Sequence, residues 1–383
     1  MHRLMAGVTI LEHELSELRL LVERQTGILL DCPNSALAAH VAEYLERQEL
    51  ESPAVMISRL RASDQDPSAL PAFLDGVLNV NTGFFRHPGA MNALARQVVP
   101  QLYARKSDDG PSTLRIWSAG CSTGEETYSI AMALCEALPG GNGNGASNGS
   151  SHLSNNGNGN GNASKDAKEK NAASRNGNGG VAENSAPAGT GQGTRDWSIH
   201  IVGSDLLPSA IEVAERGLYP QSALTGLPPA AIRACFSKIG ITNGAANSSQ
   251  EGSQIGTGNG VGNSSTNGNG SANGSTPGFT SGAHLLVKPR LRSLVTFNTM
   301  NLTKPVYIGR FDCIFCMDVL PHLSRAQRTA LMERLHLYLE PGGYLFLSQT
   351  EKLCAPNLNF RSETFDGYTF HRKPLAASAA YGR

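Results

Sequence analysis

Along the first 80 residues, apolar side chains return every three or four positions. Leu11, Leu15, Leu18 and Val22 form one stripe that ends before Gly27, a residue suited to cap a helix C-terminus. Leu37, Val41, Tyr44 and Leu45 form a second behind Asn34 and Ser35, both N-cap candidates, and Leu70, Phe73, Leu74 and Val77 form a third. Helices that bury such stripes against one another predict a small helical N-terminal domain over residues 1–80. From Leu114 the period changes. Residues 114–117 read as a strand, 125–138 as a helix with Ile130, Leu134 and Leu138 on one face, 198–203 as a second strand ending at Ser204-Asp205, and 208–216 as a helix stopped by Gly217. Val295-Thr296-Phe297 predicts a strand before Asn301-Leu302, and the unbroken apolar run 311–316 suits a strand buried on both faces. Ser324 to Gln327 matches a capping box for a helix reaching Leu339, Pro341-Gly342-Gly343 stops that helix, 344–348 is another strand, and 360–371 supplies a closing hairpin. Strands alternating with helices predict an α/β domain with a doubly wound, Rossmann-like parallel sheet over residues 111–383, joined to the helical domain by a linker at 81–110.

Two segments interrupt this plan. Residues 140–195 and 241–282 are dense in Gly, Asn and Ser and lack the apolar side chains needed to offset ordering entropy, so both are expected to be disordered inserts. Charge adds little. Lys plus Arg equals Asp plus Glu at 32 each, which removes any bulk electrostatic reason for nucleic-acid or membrane binding. The first residues lack the apolar h-region of a signal peptide, and no run reaches the roughly 18 apolar residues of a membrane span, so a cytoplasmic protein is expected. Seven cysteines show no framework spacing. Cys313 and Cys316 form a C-x-x-C, but three residues apart on a strand means opposite faces, which favours reduced core thiols over a metal site.

The chemistry centres on Trp117-Ser118-Ala119-Gly120-Cys121-Ser122-Thr123-Gly124-Glu125-Glu126-Thr127-Tyr128, a glycine-bearing turn between strand and helix. Gly120 and Gly124 let the backbone turn sharply and lie against a ligand, and the following helix presents unpaired N–H groups to the same crevice. Glu125 and Glu126 at that helix start disfavour a pyrophosphate and suit the ammonium of a methionine moiety; the G-x-G-x-x-G of a dinucleotide site is absent. Asp205, at the end of the neighbouring strand, is placed to accept both ribose hydroxyls, and Asn301-Leu302 would lie near an adenine. Together they read as a class I S-adenosylmethionine site.

With Thr82-Gly83-Phe84-Phe85-Arg86 upstream, and with Gly203-Ser204-Asp205, Ala214-Glu215-Arg216-Gly217-Leu218-Tyr219, Phe311-Asp312-Cys313-Ile314-Phe315-Cys316 and Leu339-Glu340-Pro341-Gly342-Gly343-Tyr344-Leu345 downstream, the chain resembles the CheR family of chemoreceptor glutamate methyltransferases over nearly all its length outside the inserts. The resemblance implies methyl transfer from S-adenosylmethionine to glutamate side chains of a methyl-accepting chemoreceptor, by a monomer that needs neither nucleic acid nor membrane insertion. It further implies that Thr82 and Arg86 reach the cofactor or acceptor from the linker, Glu125 holds the methionine ammonium, Asp205 the ribose, Asn301 and Leu302 the adenine side, and that Met317 and Asp318 border the cofactor. A small β-subdomain between Tyr219 and Asn301, which some members use to grip a receptor tail, is expected too.

The departures from the family pattern bear on catalysis. Arg-Asn followed by Tyr is replaced by Met317-Asp318 and His322, and Gly-His-Ser-Glu by Ser348-Gln349-Thr350-Glu351. His322 can stand in for the tyrosine as a hydrogen-bond donor, Met317 cannot replace an arginine's polar contacts, and Asp318 would repel an acceptor carboxylate. Arg86 is the residue expected to orient the acceptor, since a guanidinium matches a carboxylate bidentately. The family docks acidic helices on a basic N-terminal face; here residues 1–90 hold seven arginines against twelve carboxylates, a net of about −5. The alternative reading is a CheR-like module that keeps the cofactor site and signals by association.

Overall fold

The computed structural model describes residues 10–62, 65–78, 82–106, 113–138, 198–239, 284–304, 308–355 and 357–375. The two expected inserts lie outside the described residues. Four helices open the chain: α1 (Glu12–Thr26), α2 (Asn34–Arg47), α3 (Pro53–Arg61) and α4 (Ala69–Val77). They bury the three stripes around Leu18, Leu37, Val41, Tyr44, Phe73 and Leu74. Gly27 ends α1 in the left-handed region at φ 77°, as its lack of a Cβ permits. α2 begins directly after Pro33 with no side-chain cap, so Asn34 and Ser35 do not cap it. α3 was missed because it is short; Ser52 caps it through Val55 N and Pro53 fits its first turn.

Residues 88–106, placed in a linker by the sequence pattern, form a continuous helical stretch: α5 (Pro88–Ala93), a π-type turn Leu94–Val98, and α6 (Val99–Lys106). Its apolar face packs into the core of the sheet domain. Lys106 Nζ lies 2.7 Å from the buried carboxylate of Asp312, fixing the end of this stretch to the sheet.

The sheet domain continues with β1 (Thr113–Ala119), α7 (Glu125–Ala137), β2 (Ser198–Asp205), α8 (Pro208–Arg216), β3 (Leu218–Pro220), α9 (Pro229–Cys235), β4 (Phe236–Lys238), β5 (His284–Val287), α10 (Pro289–Arg292), β6 (Val295–Thr299), β7 (Phe311–Phe315), α11 (Arg325–Tyr338), β8 (Leu339–Phe346), β9 (Arg361–Phe365) and β10 (Tyr368–Arg372). Seven strands run in the order β6-β2-β1-β7-β8-β10-β9. The first five are parallel, and β10 enters antiparallel to both β8 and β9. The remaining strands form a separate three-stranded antiparallel sheet, β3-β5-β4, inside the stretch expected to hold a β-subdomain.

Alternation along β7 divides two cores. Cys313 and Phe315 join the core of α5 to α7, whereas Ile314 and Cys316 join that of α11. The C-x-x-C cysteines thus lie on opposite faces. α11 ends at Tyr338, close to the expected Leu339, but one expectation fails: Pro341-Gly342-Gly343 does not stop it and sits inside β8, with Gly342 at φ 75°. The register shifts between Phe311 and Cys313 opposite this segment, so the pair accommodates the turn residues as an irregularity rather than a stop. No described helix is long and apolar enough to cross a membrane.

Candidate functional site

The chain reverses its order in the sheet between β1 and β7, and the carboxyl ends of β1, β2, β6 and β7 open onto one crevice, as expected for a parallel α/β sheet. A cavity of about 430 Å³ occupies it. Trp117 Nε1 donates to Ser204 Oγ at 2.9 Å, locking β1 to β2 below the turn. The backbone N–H groups of Gly120 and Cys121 then donate to Ser204 O at 2.8 and 2.9 Å, folding the turn over the end of β2. Gly120 sits at φ 86°, and a Cβ there would lie 2.5 Å from Val319 Cγ2, so glycine is required by both backbone and space.

Asp205 closes the other side of the turn. Its Oδ2 accepts from Ser122 N at 2.9 Å and its Oδ1 from Leu207 N at 3.0 Å, leaving lone pairs on both oxygens for a further donor. Burial pushes its carboxyl above the usual range, against those backbone donors. Nearby, Ser122 belongs to the cavity wall, and its hydroxyl is a buried oxygen without a hydrogen-bond partner among the described residues. Asn301 accepts from Thr303 N at 2.9 Å and donates from Nδ2 to Gln25 O at 3.3 Å, so the end of β6 is tied to the helical domain. That domain contributes Thr26, Ile28 and Leu78 to the cavity wall, and Ile28 bridges to Leu323.

Of the expected site residues, Thr82, Arg86, Gly120, Asp205, Asn301, Leu302, Met317, Asp318 and His322 line this one cavity. Gly124 and Glu125 do not. Gly124, at φ 93°, faces Ala214 and Tyr219 and is the N-cap of α7. Glu125 is buried beside it, its Oε2 accepting from Thr123 Oγ1 at 2.7 Å with Thr82 also bonded to it; burial raises its pKa. One position on, the helix turns about 100° and Glu126 faces the cavity. Pattern reasoning named both glutamates and had no means of choosing the rotation. Glu126 Oε1 accepts from Ser118 Oγ at 2.7 Å, and its pKa is raised to about 7, first by burial, with the charges of Asp318 and Glu351 adding and Ser118 and Arg86 opposing.

The far end is built by two unusual backbone turns. Phe85, at φ 51°, donates its N–H to Ser129 Oγ at 2.9 Å, while Phe84 packs edge-on to Tyr219 and Phe236 at 4.9 and 5.4 Å. This presents Arg86 to the cavity. Asp318, at φ 60°, follows β7, and the Glu351 carboxylate holds its loop by accepting from Asp318 N, Leu320 N and Ser348 N at 3.0, 2.9 and 2.9 Å. Asp318 Oδ2 lies 3.1 Å from Arg86 Nε and 2.9 Å from His87 Nε2. Met317 is buried with its sulfur 3.9 Å from Tyr368 Oη, an apolar wall piece, and His322 is exposed at the rim, its carbonyl accepting from Leu29 N at 2.8 Å. Ser122, His87 and Glu351 escaped sequence reasoning; Glu351 alone carried a signal, as the retained acid of the altered Gly-His-Ser-Glu.

Comparison with known proteins places this geometry. Residues 80–146 and 276–368 match the family CheR methyltransferase, SAM binding domain. Chemotaxis protein methyltransferase 1 of Pseudomonas aeruginosa is 24% identical over 90% of this chain and 96% of its own length. Chemotaxis protein methyltransferase Cher2 of Pseudomonas putida is 23% identical over 91% and 98%, and the chemotaxis protein methyltransferase of Vibrio parahaemolyticus 22% over 92% and 93%. The residues present fit S-adenosylmethionine: a partnerless buried hydroxyl at Ser122, an acceptor pair at Asp205, and a carboxyl at Glu126 that an ammonium would hold ionised. Residues 80–146 and 276–368 thus carry an S-adenosylmethionine-binding domain of the CheR methyltransferase type, in a chain similar to chemotaxis protein methyltransferases over nine-tenths of its length.

Proposed function

We propose that the chain is a protein-glutamate O-methyltransferase acting on methyl-accepting chemoreceptors. The names of its relatives support a role in chemotaxis. The observation that carries the reading is the arrangement of one cavity with Asp205 and Asn301 on the β2 and β6 side and Glu126 with Arg86 by the turn and linker. Asp205 would take the ribose hydroxyls, Asn301 and Leu302 the adenine side, and Glu126 the methionine ammonium, with Thr82 above. S-adenosylmethionine supplies an electrophilic methyl with its own leaving group. A glutamate acceptor is ionised at neutral pH, so the protein's task is mainly orientation. Arg86 directs the acceptor carboxylate, and the walls at Met317, Ile28 and Leu78 exclude water.

Arg86→Ala tests this reading. Methyl transfer to membranes carrying the cell's native receptors should fall at least tenfold, about 1.4 kcal/mol of barrier. Unchanged transfer would remove Arg86 from the acceptor end. One observation favours a second reading, an association module without turnover: Arg86 already pairs with Asp318, where the family pattern has a neutral Asn. Wild-type protein that binds S-adenosylhomocysteine but labels no protein, and gains labelling on Met317→Arg with Asp318→Asn and His322→Tyr, would establish it.

A further inference from the structure

We infer that His87 and Arg86 together form the acceptor-carboxylate site, and that the Asp318 side chain holds its place until an acceptor displaces it. The inference rests on the reading of the cavity as a carboxyl-methylating site. Two nitrogen groups at the end of one linker, Arg86 Nε and His87 Nε2, converge on a single oxygen, Asp318 Oδ2, at 3.1 and 2.9 Å. Converging donors on one carboxylate oxygen are what a bound glutamate side chain would need.

The internal carboxylate is aimed there by its backbone. Asp318 occupies the left-handed region at φ 60°, uncommon for a residue other than glycine though more accessible to Asp than to most. The Glu351 carboxylate holds its loop by accepting the N–H groups of Asp318, Leu320 and Ser348. Phe85 is likewise left-handed, so both sides of the ion pair are presented by constrained turns. The trio borders the same cavity as Glu126, the carboxyl proposed to take the methionine ammonium. About a third of the Asp318 side chain is exposed, so an incoming carboxylate can reach the pair without opening the core. Asp318 is thus a specificity determinant: it sets how strongly an acceptor must bind to take Arg86 and His87 from it.

The test measures acceptor and cofactor separately. The probes are glutarate, as a side-chain carboxylate mimic, bound to protein saturated with S-adenosylhomocysteine, and receptor-bearing membranes in the methyl-transfer assay. In protein saturated with S-adenosylhomocysteine, Asp318→Asn should tighten glutarate at least threefold and lower the membrane KM. Adding His87→Gln to Asp318→Asn should abolish the gain. Weaker or unchanged glutarate binding in Asp318→Asn overturns the inference, as does a gain that survives His87→Gln. If a variant melts early, the imidazole 15N signal of His87 in the wild type serves instead: it should shift on saturation with glutarate, and a static signal counts against the site. If cofactor binds but neither wild type nor Asp318→Asn methylates anything, the proposed function fails, while the glutarate result still decides the role of His87.

Discussion

At the residue scale, two carboxyl groups on the cavity wall, Asp205 and Glu126, make definite predictions about cofactor binding. Asp205, on the cavity wall, accepts one backbone donor at each oxygen and so keeps further accepting capacity on both. Asp205→Ala should therefore weaken S-adenosylhomocysteine by about 1.5–3 kcal/mol, the worth of hydrogen bonds to a charged group. Calorimetry with an affinity unchanged within twofold would contradict its role. Glu126 makes a pH prediction with a definite sign. Its carboxyl titrates near 4.5 when unfolded and at about 7 when folded. Between those values the native state holds a proton that the unfolded chain has lost, so this group's contribution to stability falls as pH rises from about 4.5 to about 7. A ligand ammonium favours the ionised form, so binding should release a proton below about pH 7 and affinity should climb with pH up to that point. Calorimetry in buffers of different ionisation enthalpy reads that proton, and Glu126→Gln should erase it. Proton release that persists in the variant would assign it to another group.

Among the elements, those with strong periodicity were legible and those set by tertiary packing were not. The stripes of α1, α2 and α4, the buried strand β7 and helix α8 followed from spacing, because each buries one face or both. The helical stretch 88–106 contains a π-type turn that breaks the 3.6-residue phase, which hid it. Pro341 and Gly342 look like a helix stop, yet pairing with β7 draws them into a strand. The cavity wall divided in the same way. Strand-end Asp205 and turn Gly120 follow from topology, whereas Glu126 rather than Glu125 reaching the cavity depends on the rotation of α7, which spacing alone does not give. The loop after β7 offers the sharpest element-scale test. Glu351→Ala strips three backbone donors of one charged acceptor, and should cost about 2–4 kcal/mol and lower Tm by about 5–12 °C. A melting temperature within 2 °C of wild type would show that water replaces the clamp.

For the whole molecule, the helical domain is part of the site. Gln25 and Thr26 bond to Asn301 and Thr303, Leu29 bonds to His322, and Ile28 and Leu78 line the cavity. Ligand binding should accordingly stabilise both domains in one transition. The glycine-rich segments are a separate matter. β4 and β5 pair Lys238 with Leu285, so the ends of the second segment are adjacent and a short turn can join them. Replacing residues 141–194 and 242–281 by short Gly-Ser linkers should leave the cooperative melt and cofactor affinity intact, since loop closure changes by only about 0.6 kcal/mol per doubling of length. A lost cooperative melt would mean that these segments belong to the core. The central claim, that this cavity moves a methyl group onto protein carboxylates, is tested most directly by incubating wild-type protein with methyl-tritiated S-adenosylmethionine and native receptor membranes. Label should appear on receptor protein and leave it as volatile methanol on mild base treatment. Label that resists base, or no label while S-adenosylhomocysteine binds, would contradict it.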